Sequence, residues 1–151
     1  IVDEVPAATK EAGAPVSDSS PRFIAGLSMG GFGALSLGAR FGGKFQAISA
    51  HSSVTDLREL DQVVEESLLS ELFRGEDVEV LQMILRHRET LPPTRFDCGL
   101  DDRLLSANRE LHRSLKEEGV EHVYEEFSGG HEWSYWERHL VDTLRFFAEH
   151  V

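Results

Sequence analysis

The most constraining feature of this chain is the run AGLSMGGFGA at residues 25–34. It contains the pattern Gly-x-Ser-x-Gly, with an apolar run directly before it and a small-residue helical pattern after it. This context is typical of a nucleophile elbow, a sharp strand-to-helix turn that presents a serine, here Ser28, in strained backbone geometry. The residues two before and two after the serine crowd each other in such a turn. We therefore expect glycine to be needed at both Gly26 and Gly30.

Two alternatives to an elbow are a glycine-rich turn without chemistry and a phosphate-binding loop. A Walker-type phosphate loop continues with Gly-Lys and then Ser or Thr, and no such triplet follows here. The strand before the serine and the helix after it favour the elbow over a bare turn.

Strand-like and helix-like segments alternate along the chain after a short first helix. Apolar runs predict four strands, at residues 22–27, 45–50, 94–98 and 120–127. Helical spacing predicts helices at 1–13, 29–40, 55–89, 103–118 and 132–149, the third broken at Gly75 and resumed after Asp77 as a cap. This order predicts an α/β fold with helices flanking a four-stranded parallel sheet. The length fits one domain, residues 1–151.

Two helices carry patterns that predict their packing. In the helix at 29–40, Gly30, Ala34 and Gly38 share one face, which would let this helix approach the sheet closely. The last helix has a single apolar stripe, which we expect to face the core: Trp133, Trp136, Leu140, Leu144 and Phe147.

Composition limits the classes of partner and compartment. Against 27 acidic residues there are 15 basic ones, and the net charge of −12 argues against nucleic acid and anionic membranes as partners. No apolar run is long enough to span a bilayer. The single cysteine, Cys98, excludes an internal disulfide, favours the cytoplasm and is expected to be buried rather than reactive. The chain does not begin with methionine, and we expect upstream sequence to be missing.

Candidate catalytic groups follow the predicted strands, whose carboxyl ends meet at one edge of a parallel sheet. Ser28 follows the first strand, Asp101 and Asp102 follow the third, and His131 follows the fourth. A serine nucleophile needs a base to take its proton, and the base needs an acid to fix its tautomer. The order serine, aspartate, histidine is that of α/β-hydrolase triads. The pattern alone leaves Asp101 and Asp102 both open as the acid.

The other histidines and acidic residues are expected to have different roles. Five histidines fall in predicted helices or a strand, where solvated or structural positions are expected: His87, His112, His122, His139 and His150. His51 follows the second strand and is expected to line the substrate pocket, as is Trp133. Asp97 lies inside the third strand and is expected to be structural.

Metal chemistry is a weaker interpretation of the same residues. The pair His131-Glu132 begins like the zincin motif His-Glu-x-x-His, but Tyr135 stands where the second histidine is needed. No other pair of ligands has helical metal-binding spacing, and we expect neither a metal nor a cofactor.

On these motifs the chain resembles the putative-esterase family of α/β-hydrolases, which includes tributyrin esterases, S-formylglutathione hydrolase (esterase D) and feruloyl or acetyl-xylan esterase domains. The matching stretches are GLSMGGFGAL at 26–35, CGLDD at 98–102 with Asn108, and GHEW at 130–133 with Trp136. In the family the acid is the last residue of the Cys-Gly-x-x-Asp run, which implies Asp102. The resemblance implies a serine carboxylesterase that hydrolyses short-chain acyl esters or thioesters through an acyl-enzyme.

The family has four further strands before the segment that opens this sequence, so the resemblance covers only the C-terminal half of the α/β-hydrolase fold. The backbone N–H of Met29 is expected to donate to the oxyanion, while the loop that normally supplies a second donor lies in the absent part. Without those strands the first strand becomes a sheet edge, through which copies of the chain are expected to pair as a homo-oligomer.

Three functions are therefore open. The chain is an esterase acting on small-molecule esters, an acyltransferase that uses the same triad but passes the acyl group to an alcohol, or an inert hydrolase half that only binds or assembles. The resemblance favours the first.

Overall fold

Four parallel strands form the centre of the computed structural model, which describes residues 2–17, 19–57 and 79–151. The strands are β1 (Phe23–Leu27), β2 (Ala47–His51), β3 (Thr94–Gly99) and β4 (Val123–Phe127), in the order β1-β2-β3-β4. The helices are α1 (Glu4–Glu11), α2 (Met29–Arg40), α3 (Val80–Arg86), α4 (Leu105–Glu117) and α5 (Trp133–Ala148). The predicted α/β fold with a four-stranded parallel sheet is confirmed. Most of the helix predicted at 55–89, with its cap Asp77, lies outside the described residues.

The sheet separates an apolar layer from a polar one. Side chains alternate between its faces along each strand, so Ile48 and Ala50 join the apolar core with α2, α3 and α4. Ser49, between them, points to the other face and hydrogen bonds to Thr143 of α5, with 2.6 Å between their hydroxyl oxygens. Helix α5 thus packs on the polar face, where it contacts β1, β2 and β3.

The buried face of α5 differs from the predicted apolar stripe. Trp136 is buried, but Trp133, Leu140 and Leu144 are half or more exposed. The residues that α5 buries are Tyr135, Trp136, His139 and Thr143. The prediction that the stripe faces the core is wrong for these three residues, because the sheet face under α5 carries polar groups that only polar side chains of the helix can satisfy.

The turn from β1 to α2 has the strained geometry of an elbow. Ser28, between the strand and the helix, has φ 55° and ψ −119°, which is rare for a residue other than glycine. A Cβ on Gly26 would lie 2.0 Å from the carbonyl oxygen of Gly30, so this position requires glycine. Gly30 differs from our expectation, because a Cβ there meets nothing within 4 Å and the crowding involves its backbone.

The close approach of α2 to the sheet depends on Gly38. A Cβ at this position would lie 2.5 Å from Cδ1 of Ile48 on β2. At Gly38 the helix therefore lies nearer to the strand than any larger residue would allow, and the predicted close packing of this helix on the sheet is confirmed there.

Strand β1 lies at one edge of the sheet and pairs with β2. Ala25 in the middle of β1 is exposed. Pairing of two copies of the chain through this edge stays a prediction, as does the extent of the domain. Within the described ranges, no helix combines the length and the apolar character that crossing a membrane requires.

Two histidines form a pair between α4 and the start of β4. His122 Nδ1 lies 2.7 Å from the Val120 carbonyl oxygen, to which it must donate, and this leaves Nε2 of neutral His122 free to accept. His112 Nδ1 lies 2.8 Å from that nitrogen and donates to it. Burial, then the charges of His122 and Lys116, lower the pKa of His112, while Glu126 opposes them. The fold therefore favours neutral His112.

We expect Gly26→Ala to destabilise the fold by about 3 kcal/mol or more, because the new methyl group meets backbone that cannot move without opening the elbow. Gly33→Ala in α2 is the matched control, since a Cβ there meets nothing within 4 Å. It should raise stability by up to about 1 kcal/mol through helix propensity. Urea unfolding midpoints measure both stabilities. Equal stabilities of the two variants would contradict the requirement for glycine at position 26.

Replacing His112 with Asn should make the free energy of unfolding fall less steeply between neutral pH and pH 5. Since the pKa of His112 is lower in the folded chain than its ordinary 6.5, the unfolded chain takes up the proton first as the pH falls. Stability contributed by neutral His112 is therefore complete above about pH 6.5 and declines below it. Urea unfolding at several pH values between neutrality and pH 5 measures the slope. Identical slopes in both proteins would contradict this account.

Candidate active site

Three side chains that follow three different strands meet at the carboxyl edge of the sheet. Ser28 follows β1, Asp102 follows β3 and His131 follows β4. His131 Nε2 lies 3.0 Å from Ser28 Oγ, and His131 Nδ1 lies 2.9 and 3.1 Å from the two carboxylate oxygens of Asp102. A carboxylate only accepts, so Nδ1–H donates to Asp102 and Nε2 accepts from the serine hydroxyl. The structure brings all three predicted residues into one hydrogen-bonded chain.

The two candidate acids occupy different environments. The Asp102 side chain is fully buried, and its Oδ1 accepts the backbone N–H of Leu104 at 2.8 Å. Asp101 is exposed, and its backbone N–H donates to the Gly129 carbonyl. Only Asp102 is within hydrogen-bond distance of His131 among the described carboxylates, which is the geometric reason to prefer it.

The loops that carry Asp102 and His131 are fastened to each other. Besides the Asp101–Gly129 bond of 2.9 Å, the Leu100 N–H donates to the Phe127 carbonyl at 2.8 Å. A Cβ on Gly99 would lie 2.3 Å from the Gly129 carbonyl oxygen, so the loops touch through their backbones. Gly129 has φ 130°, which a residue with a side chain rarely adopts. The distance between Asp102 and His131 is thus set mainly by backbone contacts.

The elbow that carries Ser28 is held by the end of β2. The Ser28 N–H donates to the His51 carbonyl at 2.9 Å, and the Ser28 carbonyl accepts the N–H of Val54 at 3.2 Å. Helix α2 starts at Met29, so the Met29 N–H belongs to the first turn, whose N–H groups have no acceptor within a helix. Because Met29 directly follows Ser28, this N–H is the candidate donor to negative charge that develops at the serine.

His51 does not line an open pocket in the structure. It is 4% exposed, with Nε2 2.8 Å from Thr143 Oγ1 and Nδ1 2.7 Å from a carboxylate oxygen of Asp97. Threonine, histidine and aspartate thus follow one another in the same order as Ser28, His131 and Asp102, but the contact between His51 and Asp97 is a close ion-pair distance without hydrogen-bond geometry, whereas His131 and Asp102 are hydrogen bonded. The members of this group are almost inaccessible, so no substrate reaches them. The expectation that His51 lines the pocket is therefore not met, because its ring lies under α5 rather than facing solvent.

The tryptophans and the cysteine take distinct places around the site. Trp136 is buried, with its ring edge-to-face on His131 at 5.0 Å, and Trp133 is 68% exposed and edge-to-face on Trp136 at 5.3 Å. Cys98 is fully buried in β3, as expected. Burial, together with the nearby Asp102 carboxylate, raises the pKa of Cys98 to about 12, so the thiol stays protonated.

Several supporting residues carry no motif that sequence reasoning could have used. The Asn108 side chain donates to the Ser53 carbonyl at 2.8 Å, which ties α4 to the loop after β2. Trp136 Nε1 donates to Ser52 Oγ at 3.3 Å, and the Tyr135 hydroxyl donates to Asp97 at 2.8 Å. Ser52 also has a positive φ of 47°. These contacts join residues far apart in the chain. Helical spacing predicted only that Trp136 packs on the core, and the resemblance alone pointed to Asn108.

A cavity of about 390 Å³ lies at the other end of the sheet, between α1 and the start of β1. Its lining includes Val5, Phe23 and Phe45. It is separated from Ser28 by the length of β1, and its lining does not include Ser28, His131 or Asp102. In the part of the chain that the structure describes, no group of three or more His, Cys, Asp or Glu residues could hold a metal ion.

Comparison with known proteins gives concordant matches. The profile of a protein family described as "Putative esterase" matches residues 3–147. An acetyl esterase of Caldicellulosiruptor saccharolyticus is 31% identical over 144 residues, which cover 84% of this chain and 54% of that protein. The chain therefore spans about half the length of that relative, in its C-terminal portion.

Solved structures match over almost all of this chain. An S-formylglutathione hydrolase from Staphylococcus aureus has a TM-score of 0.83 at 23% identity, covering 95% of this chain and 60% of that one. A ferulic acid esterase has a TM-score of 0.73 at 27% identity, covering 95% and 56% of the two chains. The described elements therefore form part of an α/β-hydrolase fold.

Proposed function

Since the chain belongs to the esterase family whose profile it matches over residues 3–147, we propose that it hydrolyses small carboxylic esters or thioesters through an acyl-enzyme on Ser28. The single observation that carries this proposal is the hydrogen-bonded chain from Ser28 through His131 to Asp102. Short acyl groups are proposed because the relative at 31% identity is named an acetyl esterase.

The proposed mechanism begins with proton transfer. His131 Nε2 takes the proton of Ser28 Oγ while that oxygen attacks the carbonyl carbon of the ester. Asp102 keeps the other nitrogen protonated and stabilises the imidazolium that forms. The same imidazolium then gives its proton to the leaving alcohol or thiol, and a water molecule, activated by His131, releases the acid from Ser28.

The negative charge of the tetrahedral intermediate needs donors that are already in place. The Met29 N–H is proposed as one of them, because it follows Ser28 directly at the start of α2. Such a donor makes its best hydrogen bond to the oxyanion rather than to the planar ester, so it lowers the barrier rather than only tightening binding.

The first test uses p-nitrophenyl acetate with the protein as its gene encodes it. We expect turnover, or a burst of about one p-nitrophenol per chain, and a loss of at least about a thousandfold in Ser28→Ala, because the substitution removes the hydroxyl that is hydrogen bonded to His131 Nε2. Equal background rates in both proteins would refute the enzyme and support an inert hydrolase half. An added alcohol that captures most of the acyl group would instead identify an acyltransferase.

A second test distinguishes the two adjacent aspartates. Asp102→Asn should lower kcat by about 10²–10⁴-fold, because the amide can leave His131 in the wrong tautomer. Asp101→Asn is the matched control, with the same chemical change one residue away on an exposed side chain, and should leave kcat close to the wild-type value. Equal losses in the two variants, or a larger loss in Asp101→Asn, would refute the assignment of the acid.

A further inference from the structure

The first turn of α5 is fastened to the sheet by two buried hydrogen bonds. The Tyr135 hydroxyl donates to Asp97 Oδ1 at 2.8 Å, and Trp136 Nε1 donates to Ser52 Oγ at 3.3 Å. Tyr135 is four residues after His131, which lies just before the helix. The helix that follows the catalytic loop is therefore anchored to β3 and to the residue after β2.

Tyr135 also contacts the loop on the other side of His131. A Cβ on Gly129 would lie 2.9 Å from Cδ2 of the Tyr135 ring, so the ring packs directly against the backbone there. The Tyr135 N–H donates to the Glu132 carbonyl at 3.1 Å, and the Glu132 N–H donates to the Gly130 carbonyl at 3.0 Å. His131 is thus enclosed in a short turn, with Tyr135 in contact with both of its ends.

The acceptor of the tyrosine hydroxyl is itself fixed. Asp97 is fully buried in β3, with its Oδ2 2.9 Å from Arg95 Nη1 and 2.7 Å from His51 Nδ1. Arg95 is also buried and reaches Glu125 Oε2 on β4 at 2.9 Å. These two close charge contacts lie on Oδ2, and the Tyr135 hydroxyl is the hydrogen-bond donor to Oδ1, so both oxygens of this buried carboxylate are in contact with polar groups. Because Asp97 and Asp102 belong to β3 and the turn directly after it, one strand fixes both the anchor and the catalytic acid.

From this juxtaposition we propose that Tyr135 and Asp97 are positioning residues for the reaction. Their hydrogen bond ties the loop of His131 to the strand that leads to Asp102, and it keeps the imidazole aligned between Asp102 and Ser28. Tyr135 does not touch the reacting atoms. This proposal rests on the proposed function for its effect on rate, but its effect on the geometry of His131 is independent of any substrate.

The test is Tyr135→Phe, which removes one oxygen atom and keeps the ring that packs against Gly129. Tyr124→Phe is the matched control, because the Tyr124 hydroxyl also donates to a carboxylate oxygen, Glu126 Oε1 at 3.0 Å, and its ring lies on the opposite face of the sheet among core residues. Both variants lose a tyrosine–carboxylate hydrogen bond, and both should unfold at a lower temperature. They differ in whether the loop of His131 loses its anchor.

Two measurements are made on the intact protein at a temperature where both variants are fully folded. In Tyr135→Phe we expect kcat for p-nitrophenyl acetate to fall about tenfold with KM nearly unchanged, since misalignment affects the transition state more than binding. The low-field proton NMR signal of His131 Nδ1–H, assigned by its loss in His131→Gln, should broaden through faster exchange with water. In Tyr124→Phe both quantities should match the wild type.

The NMR signal separates this proposal from the proposed function. If wild-type turnover equals that of Ser28→Ala, the proposed function fails, and the broadened signal in Tyr135→Phe alone still supports the positioning role. An unchanged signal with unchanged kcat in Tyr135→Phe would overturn the positioning role while leaving the esterase intact. Equal changes in both tyrosine variants would also overturn it, because the effect would then be general destabilisation.

Discussion

The contact between the backbones of residues 26 and 30 is the constraint on which the rest of this site depends. Because Gly26 has no side chain, β1 can turn into α2 at a single residue, and Ser28 takes up the strain with φ 55°. The tight turn places the hydroxyl at the carboxyl edge of the sheet and leaves the first N–H of α2 beside it. Hydrogen bonds from the end of β2 and the loop after it hold the elbow in this shape.

The polar layer under α5 is the second determinant of the architecture. Arg95, Asp97 and His51 are almost fully buried there, although removing charges from water is costly unless they are paired. Their mutual contacts, with those of Thr143 and Tyr135, offset that cost and fix the orientation of the helix. Apolar packing alone would permit α5 to slide or rotate, whereas directional hydrogen bonds permit one arrangement. A site that needs its histidine placed within fractions of an ångström benefits from that restriction.

Two chains of hydroxyl, imidazole and carboxylate stand at neighbouring strand ends, and access to solvent separates them. The members of the inner one, Thr143, His51 and Asp97, are 4% exposed or less, and they connect helix α5 to the sheet. In the outer one the His131 side chain is 20% exposed beside Ser28. The same three functional groups therefore stabilise the fold in one place and, in the other, are the groups for which we propose acyl transfer. The order of these groups is therefore not sufficient to assign catalysis; their exposure to solvent must be known as well.

Sequence by itself determined the alternation of strands and helices, the elbow and the identity of Ser28 and His131 as candidates, because periodicity, glycine spacing and chain order are local or ordinal properties. It also placed Cys98 in the interior. The residue pattern left Asp101 and Asp102 both open as the acid, the family resemblance implied Asp102, and the tertiary structure supplied the contact with His131 that separates them. Only the tertiary structure moved His51 from the expected pocket into the buried layer and turned Leu140 and Leu144 outwards. The physical reason is the same in each case: whether a side chain near a strand end or on a helix is buried depends on which polar partners lie across from it, and those partners come from distant parts of the chain.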